Sequence, residues 1–90
     1  MYYVYIVTNK TNKVFYIGIT NSLVRRIEEH KLGLIDGFTK KYKCNKLVYF
    51  EEFFKPIDAI NREKQLKNWH RQWKINLIKS VNPDFDEIII

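Results

Sequence analysis

"YYVYIVTNKTNKVFYIG", residues 2–18, decides how the rest of the chain can fold. Its two ends, 2–8 and 14–18, are rich in aromatic and β-branched side chains, which suit a pleated and half-buried surface. The polar NKTNK between them marks a turn, so the stretch reads as a β-hairpin. Side chains alternate across a strand. With residue 5 opposite residue 16, Tyr3, Tyr5, Val7, Val14, Tyr16 and Gly18 share one face, and Val4, Ile6, Phe15 and Ile17 share the other. That register makes Tyr5 and Tyr16 direct neighbours.

Beyond the hairpin, Leu23, Val24 and Ile27 recur at helical spacing, with Asn21 or Thr20 as N-cap and Gly33 just past the end. A helix over 22–32 follows. Arg26 and His30 are four apart on it and border the Leu23 and Ile27 stripe, which is a cleft position. Residues 33–45, with two glycines and Lys40, Lys41 and Lys43, read as a basic loop, and KLVYFEEFF at 46–54 reads as a third strand. Pro56 suits the first turn of a helix reaching about Trp69, and another helix runs on to about Ser80, closed by Asn82 and Pro83. The order β-β-α-β-α-α predicts an α+β fold, a small three-stranded antiparallel sheet flanked by about three helices. Residues 1–82 form a single domain in this reading. Residues 83–90 are a tail whose isoleucines either dock on the core or make an edge contact.

Composition narrows the partners. Ninety residues with a 46% hydrophobic share supply one packed core, and a net charge of +6 favours polyanions, because cations that neutralise phosphates release condensed counterions. The single Cys44 cannot form an internal disulfide, and no apolar run approaches the ~18 residues a membrane span requires. A cytoplasmic chain with no membrane partner is the expectation. HExxH, P-loop and zinc-ligand patterns are absent, His70 within WHRQW reads as packing or surface, and Trp69, Trp73 and Leu77 read as helix-to-core packing.

Four residue types stand out chemically. Glu63 falls within the apolar arc that Ala59, Ile60 and Leu66 define, so it reads either as half of an ion pair or as a ligand for Mg²⁺, which keeps most of its waters. A free phenol, with a pKa of about 10, costs about 4 kcal/mol to ionise at neutral pH, and neighbouring cations offset part of that. Tyr5 and Tyr16 beside a basic helix therefore read as strand packing or as a general base. Arg26 reads as a solvated helix-face residue or as a planar fork that matches phosphate, whereas Arg25 fits the solvated reading better as a partner of Glu29. His30 reads as a boundary histidine or as a phosphate-contacting, proton-transferring group.

Taken together these residues resemble the GIY-YIG nuclease family. YVY at 3–5 and YIG at 16–18 stand where its two signatures do, with Arg26 ten and His30 fourteen positions past Tyr16. AINREKQLKNW at 59–69 is similar to the segment that carries the family's metal-binding glutamate, here Glu63. The chain is similar to small standalone members and to the N-terminal incision domain of the bacterial excision-repair nuclease. The resemblance implies Mg²⁺- or Mn²⁺-dependent hydrolysis of DNA, in repair or in processing of branched or single-stranded DNA, with repair proteins as partners. It implies Tyr5, Tyr16, Arg26 and His30 as the catalytic set, one tyrosine being the base, with Glu63 on the metal. Gly18, Lys40, Lys41 and Lys43 are the substrate-binding set, and no organic cofactor is implied. Tyr3 stands in place of the first signature's glycine, and Ile19 where the excision-repair domain has a lysine. The alternatives are a non-catalytic module of this fold that grips DNA or a repair partner, and a small RNA-associated protein.

Overall fold

The hairpin forms, two residues out of the expected register. The computed structural model describes residues 1–35 and 37–90. Strands β1 (Tyr2–Thr8) and β2 (Phe15–Thr20) pair antiparallel with Tyr5 opposite Gly18 and Val7 opposite Tyr16. The turn explains the difference. Asn9 Oδ1 accepts the backbone N–H groups of Lys13 (2.9 Å) and Val14 (3.2 Å), which a tighter hairpin would place in the ladder. Asn12 sits at φ 58°, a left-handed conformation that Asn tolerates better than most residues. A shift of two leaves every side chain on its expected face. Tyr5 and Tyr16 are therefore diagonal neighbours across the ladder rather than opposite partners.

Strand β3 (Lys46–Phe53) adds to the other side of β1, giving one antiparallel sheet in the order β2-β1-β3. The pairing breaks register between Ile6 and Val7, where Ile6 faces Tyr49 and Val7 faces Leu47. The extra residue, Val48, turns to the same side as Tyr49, so two consecutive residues of β3 enter one core.

Each face of the sheet has its own core. Val4, Ile6, Ile17 and Val48 pack under Ala59 and Leu66 of α3 (Pro56–Asn68) and Ile78 of α4 (Arg71–Val81), while Tyr5, Val7 and Leu47 pack under Leu23 and Ile27 of α1 (Leu23–Lys31). β1 lies in the middle, and Val4 to Thr8 are all buried. Full burial of one such aliphatic side chain is worth roughly 1.5–3 kcal/mol. Pro56 begins α3 as expected.

Several local expectations are corrected. The N-cap of α1 is Ser22, and it makes no side-chain cap. Thr20 Oγ1 instead accepts the Ser22 N–H at 3.1 Å and shapes the turn before the helix. At the other end Gly33 (φ +70°) donates to the His30 carbonyl and Leu34 to the Glu29 carbonyl, the paired bonds of a Schellman closure. The stretch read as a basic loop contains a one-turn helix, α2 (Phe38–Lys41), entered through Gly37 at φ +94°. Asp36, within that stretch, lies outside the described residues. On α3, Ile60 is 37% exposed and not part of the buried arc, and on α4 Trp73 is 54% exposed rather than packed in the core. The helix breaks at Trp69 and His70, both extended, which turns Trp73 off the sheet.

The tail is divided. Phe85 is buried in the first core, and the Ile88 N–H donates to the Leu47 carbonyl at 2.8 Å, whereas Ile89 and Ile90 are exposed. Asn82 anchors this segment, donating to the Val48 (3.0 Å) and Asp86 (2.9 Å) carbonyls and accepting the Asp86 N–H.

Candidate active site

The site grows from a steric allowance at Gly18. A Cβ on that residue would lie 2.4 Å from two atoms of the Tyr5 phenol, so only glycine lets the Tyr5 ring lie flat across β2. Gly18 is itself buried, and its place is beneath a catalytic candidate rather than on a substrate-facing surface.

With its ring held there, the Tyr5 hydroxyl meets His30 Nε2 at 2.9 Å. His30 projects from the last turn of α1 and is buried. Burial, together with the Tyr16 phenol and only partly countered by the Arg26 guanidinium, raises the Tyr5 pKa far above the usual phenol range, so this hydroxyl keeps its proton. Burial and the Arg26 charge push His30 below its ordinary value, so the imidazole is neutral. A protonated phenol and a neutral imidazole make a fixed hydrogen bond rather than an ion pair.

Tyr16 occupies a different environment. It is half-buried, with its ring 6.0 Å from His30, 6.2 Å from Phe38 in a stacked arrangement, and 5.8 Å beneath the Lys67 ammonium. Three elements thus converge on the outer edge of the sheet: α1 from one face, α2 beside it, and α3 from the other. Lys67 in turn pairs with Glu63 at 3.5 Å, one helical turn away. Through Lys67, whose ammonium lies over the Tyr16 ring, Glu63 stands close to the tyrosine edge of the sheet.

Arg26 is half-buried on the cleft side of α1. Its Nε is buried and lies 3.7 Å from Glu29 Oε1, an ion pair too long to be a hydrogen bond. Glu29 therefore pairs with Arg26, and the expected Arg25–Glu29 pair gives way to it. His30 Nδ1 is buried and unpartnered among the described residues. Both nitrogens belong to α1, and the His30 ring lies beside both phenols.

The donor set also bears on a metal. Among the described residues no three His, Cys, Asp or Glu side chains gather, so an all-protein cage is not built here. One carboxylate, 17% exposed and held by a single long ion pair, does suit Mg²⁺ or Mn²⁺, which retains waters and completes its shell from phosphate oxygens.

Sequence reasoning missed the wall that α2 builds. Phe38 stacks beside Tyr16 and Tyr42 packs at a tilt against Phe38, both more than 40% exposed, and the Lys41 ammonium lies 5.4 Å over the Tyr42 ring. Lys40, Lys41 and Lys43 are all exposed on this segment. The aromatic pair at i and i+4 was the available signal. A second group, on the opposite core, was also unread: Arg62 bridges both oxygens of Glu51 at 2.8 and 2.9 Å, and Tyr49, pushed up to about 12 by burial and its bond to Glu51, donates to the same carboxylate. That network ties α3 to β3. Asn76 accepts from Gln72 on the solvent side of α4, away from the phenols.

Residues 1–76 match the GIY-YIG catalytic domain. A UPF0213 protein of Staphylococcus haemolyticus is 37% identical over 78 residues, covering 87% of this chain and 94% of its own. A UPF0213 protein of Clostridium perfringens is 40% identical over 80 residues, covering 89% and 85%. In three dimensions the chain is similar to the solution NMR structure of a UPF0213 protein from Bacillus halodurans, with a TM-score of 0.60, 28% identity, and coverage of 96% of this chain and 92% of that one.

Proposed function

This chain belongs to the GIY-YIG catalytic-domain family, and from that premise we propose that it is a metal-dependent endonuclease that hydrolyses DNA phosphodiester bonds, in repair or in processing of branched or single-stranded DNA. The observation that carries the reading is the gathering of Tyr16, His30 and the Lys67 ammonium, with Glu63 paired to that ammonium, at one edge of the sheet. A phosphate oxygen suits the Arg26 guanidinium, which is half-buried on the same helix as His30.

In this mechanism the two tyrosines divide the work. Tyr5 holds its proton and fixes His30; it is a positioning residue. Tyr16, having given up its own proton to solvent, takes the proton from the attacking water as a phenolate beside the Lys67 ammonium, while Lys67 and Arg26 bring positive charge to where negative charge develops on the phosphorane. Glu63 would hold Mg²⁺ or Mn²⁺, which supplies Lewis-acid polarisation of the phosphate when bound. Lys40, Lys41 and Lys43 draw the DNA backbone toward the cleft by charge. Repair proteins are proposed partners, and the cytoplasm the proposed setting. Among the described residues no helix is long and apolar enough to cross a membrane.

Nicking of supercoiled plasmid tests the proposal. Mg²⁺ supports cutting, EDTA stops it, and Arg26→Ala and Glu63→Ala lower the rate at least a hundredfold while leaving the circular dichroism spectrum unchanged. Salt-sensitive retention of DNA with no cutting under any divalent ion would leave a binding module in place of an enzyme.

A further inference from the structure

α4 displays a feature that neither the sheet nor the phenol site explains. Trp73 is 54% exposed, yet its ring is braced: it stands perpendicular to Trp69 at 5.9 Å (84°) and to His70 at 5.5 Å (89°). Trp69 is half-buried and covered on one side by the Arg62 guanidinium at 5.2 Å. A shallow apolar groove runs from these two rings along Asn76, Leu77 and Ser80. An indole held in one orientation with its surface open has already met most of the entropy cost of ordering it for a flat partner.

The surroundings select the partner. Residues 64–83 contain Lys64, Lys67, Arg71, Lys74 and Lys79 and no aspartate or glutamate. A second copy of this chain, itself strongly cationic, is repelled by such a surface; a polyanion with planar rings is attracted to it. The surface is also continuous with the active site. The Lys74 ammonium lies 3.5 Å from the Lys67 carbonyl, and the Lys67 ammonium lies over the Tyr16 ring.

We propose that Trp73 and the basic helix α4, which carries Arg71, Lys74 and Lys79 and no acid, bind an unpaired stretch of DNA next to the scissile phosphate, with one base stacked on the Trp73 indole. This rests on the nuclease reading for its substrate and deepens it, by assigning the single-stranded nucleotides beside the cut to a site on α4. Paired bases in a duplex bury their faces and cannot stack on a side chain without being unstacked first.

The test uses the full chain in EDTA, so that binding is read without cleavage. Trp69→Phe leaves Trp73 as the sole tryptophan, and a short oligothymidylate quenches its fluorescence. Trp73→Ala weakens oligothymidylate binding about 5- to 150-fold, the range one base–aromatic stack supplies. Trp73→Phe, which keeps a π face, stays within a few-fold of the parent, and blunt-duplex affinity is the same in all three. The proposal is overturned by absence of quenching, by equal oligothymidylate affinity in Trp73→Ala, or by an equal loss of duplex affinity. It is also overturned if sedimentation finds a dimer that Trp73→Ala dissolves, which would make a second copy the occupant. Failure of the nuclease reading is separately visible: no Mg²⁺-dependent nicking with the stacking result intact removes the enzyme and leaves the single-strand site.

Discussion

The Tyr5 hydroxyl and His30 Nε2 stand 2.9 Å apart with 25 residues of chain between them. One comes from the buried central strand and the other from the end of a helix, so their contact exists only when β1, the hairpin and α1 are all in place. It gives the two tyrosines different environments, and the difference is measurable. Tyr5→Phe removes the phenolic partner of a buried imidazole nitrogen and costs about 1–3 kcal/mol in chemical denaturation. Tyr16→Phe, at a half-exposed position, leaves the midpoint nearly unchanged and abolishes plasmid nicking. Equal effects of the two substitutions on stability would contradict this division.

Gly18 and Tyr5 form a steric couple. Gly18→Ala puts a methyl where the Tyr5 ring lies and destabilises the fold by about 1–3 kcal/mol, the usual cost of overpacking. In a Tyr5→Ala background the same substitution has space and costs much less. A double-mutant cycle with additive energies would show that the contact is slack.

Stability falls on acidification, with His30 as the first contributor. Burial and Arg26 hold its folded-state pKa below the ordinary 6.5, so near neutral pH both folded and unfolded states are uncharged there and stability is complete. As the pH falls below 6.5 the unfolded chain takes up the proton first, and stability drops until the lower folded value is passed. Glu51 adds a second decline. Burial alone would raise its pKa, but hydrogen bonds from Arg62 and Tyr49 bring it below the ordinary 4.5, so that contribution is lost in more acid solution. Thermal midpoints measured from about pH 7.5 to about pH 5.5 fall for the parent, and the fall is shallower in His30→Gln.

Lys41 and Lys43 are exposed on the α2 segment beside Tyr16. Replacing either with glutamine lowers the slope of log Kd against log salt by about 0.9 for duplex DNA if each neutralises one phosphate. Nitrocellulose retention across a salt series reads the slope. An unchanged slope would place the DNA backbone elsewhere.

Glu63→Gln separates chemistry from stability. The Glu63–Lys67 pair is a long i,i+4 contact whose lysine is about half exposed, of the kind worth about 0.3–0.5 kcal/mol, so the denaturation midpoint barely moves while nicking is lost. A large fall in stability would mean the carboxylate serves the fold rather than the phosphate.

Much of this was legible in the chain because it is local. Strand and helix periodicity placed every major element to within a few residues, and a register shift of two could not disturb which residues share a face. The positions of Arg26 and His30 on one side of α1 followed from four-residue spacing. The missing parts were those decided by neighbours. Ile60 and Trp73 read as core by helical spacing, but the break at Trp69 and His70 swings α4 so that Trp73 meets solvent. Asn9's side chain took two amides from the ladder and reset the hairpin, an exchange that no alternation pattern encodes.

What the sequence determined alone was the sheet-and-helix order, the sorting of side chains to two faces, and the residue types available for phosphate chemistry. Only the tertiary structure decided that Tyr5 is buried and bonded to His30 while Tyr16 stays half-buried beneath the Lys67 ammonium, which Glu63 pairs. The physical reason is that burial and charge proximity are sums over segments distant in the chain. A spacing rule sees one element at a time, whereas the acidity of a phenol and the satisfaction of an arginine depend on all the elements that surround them.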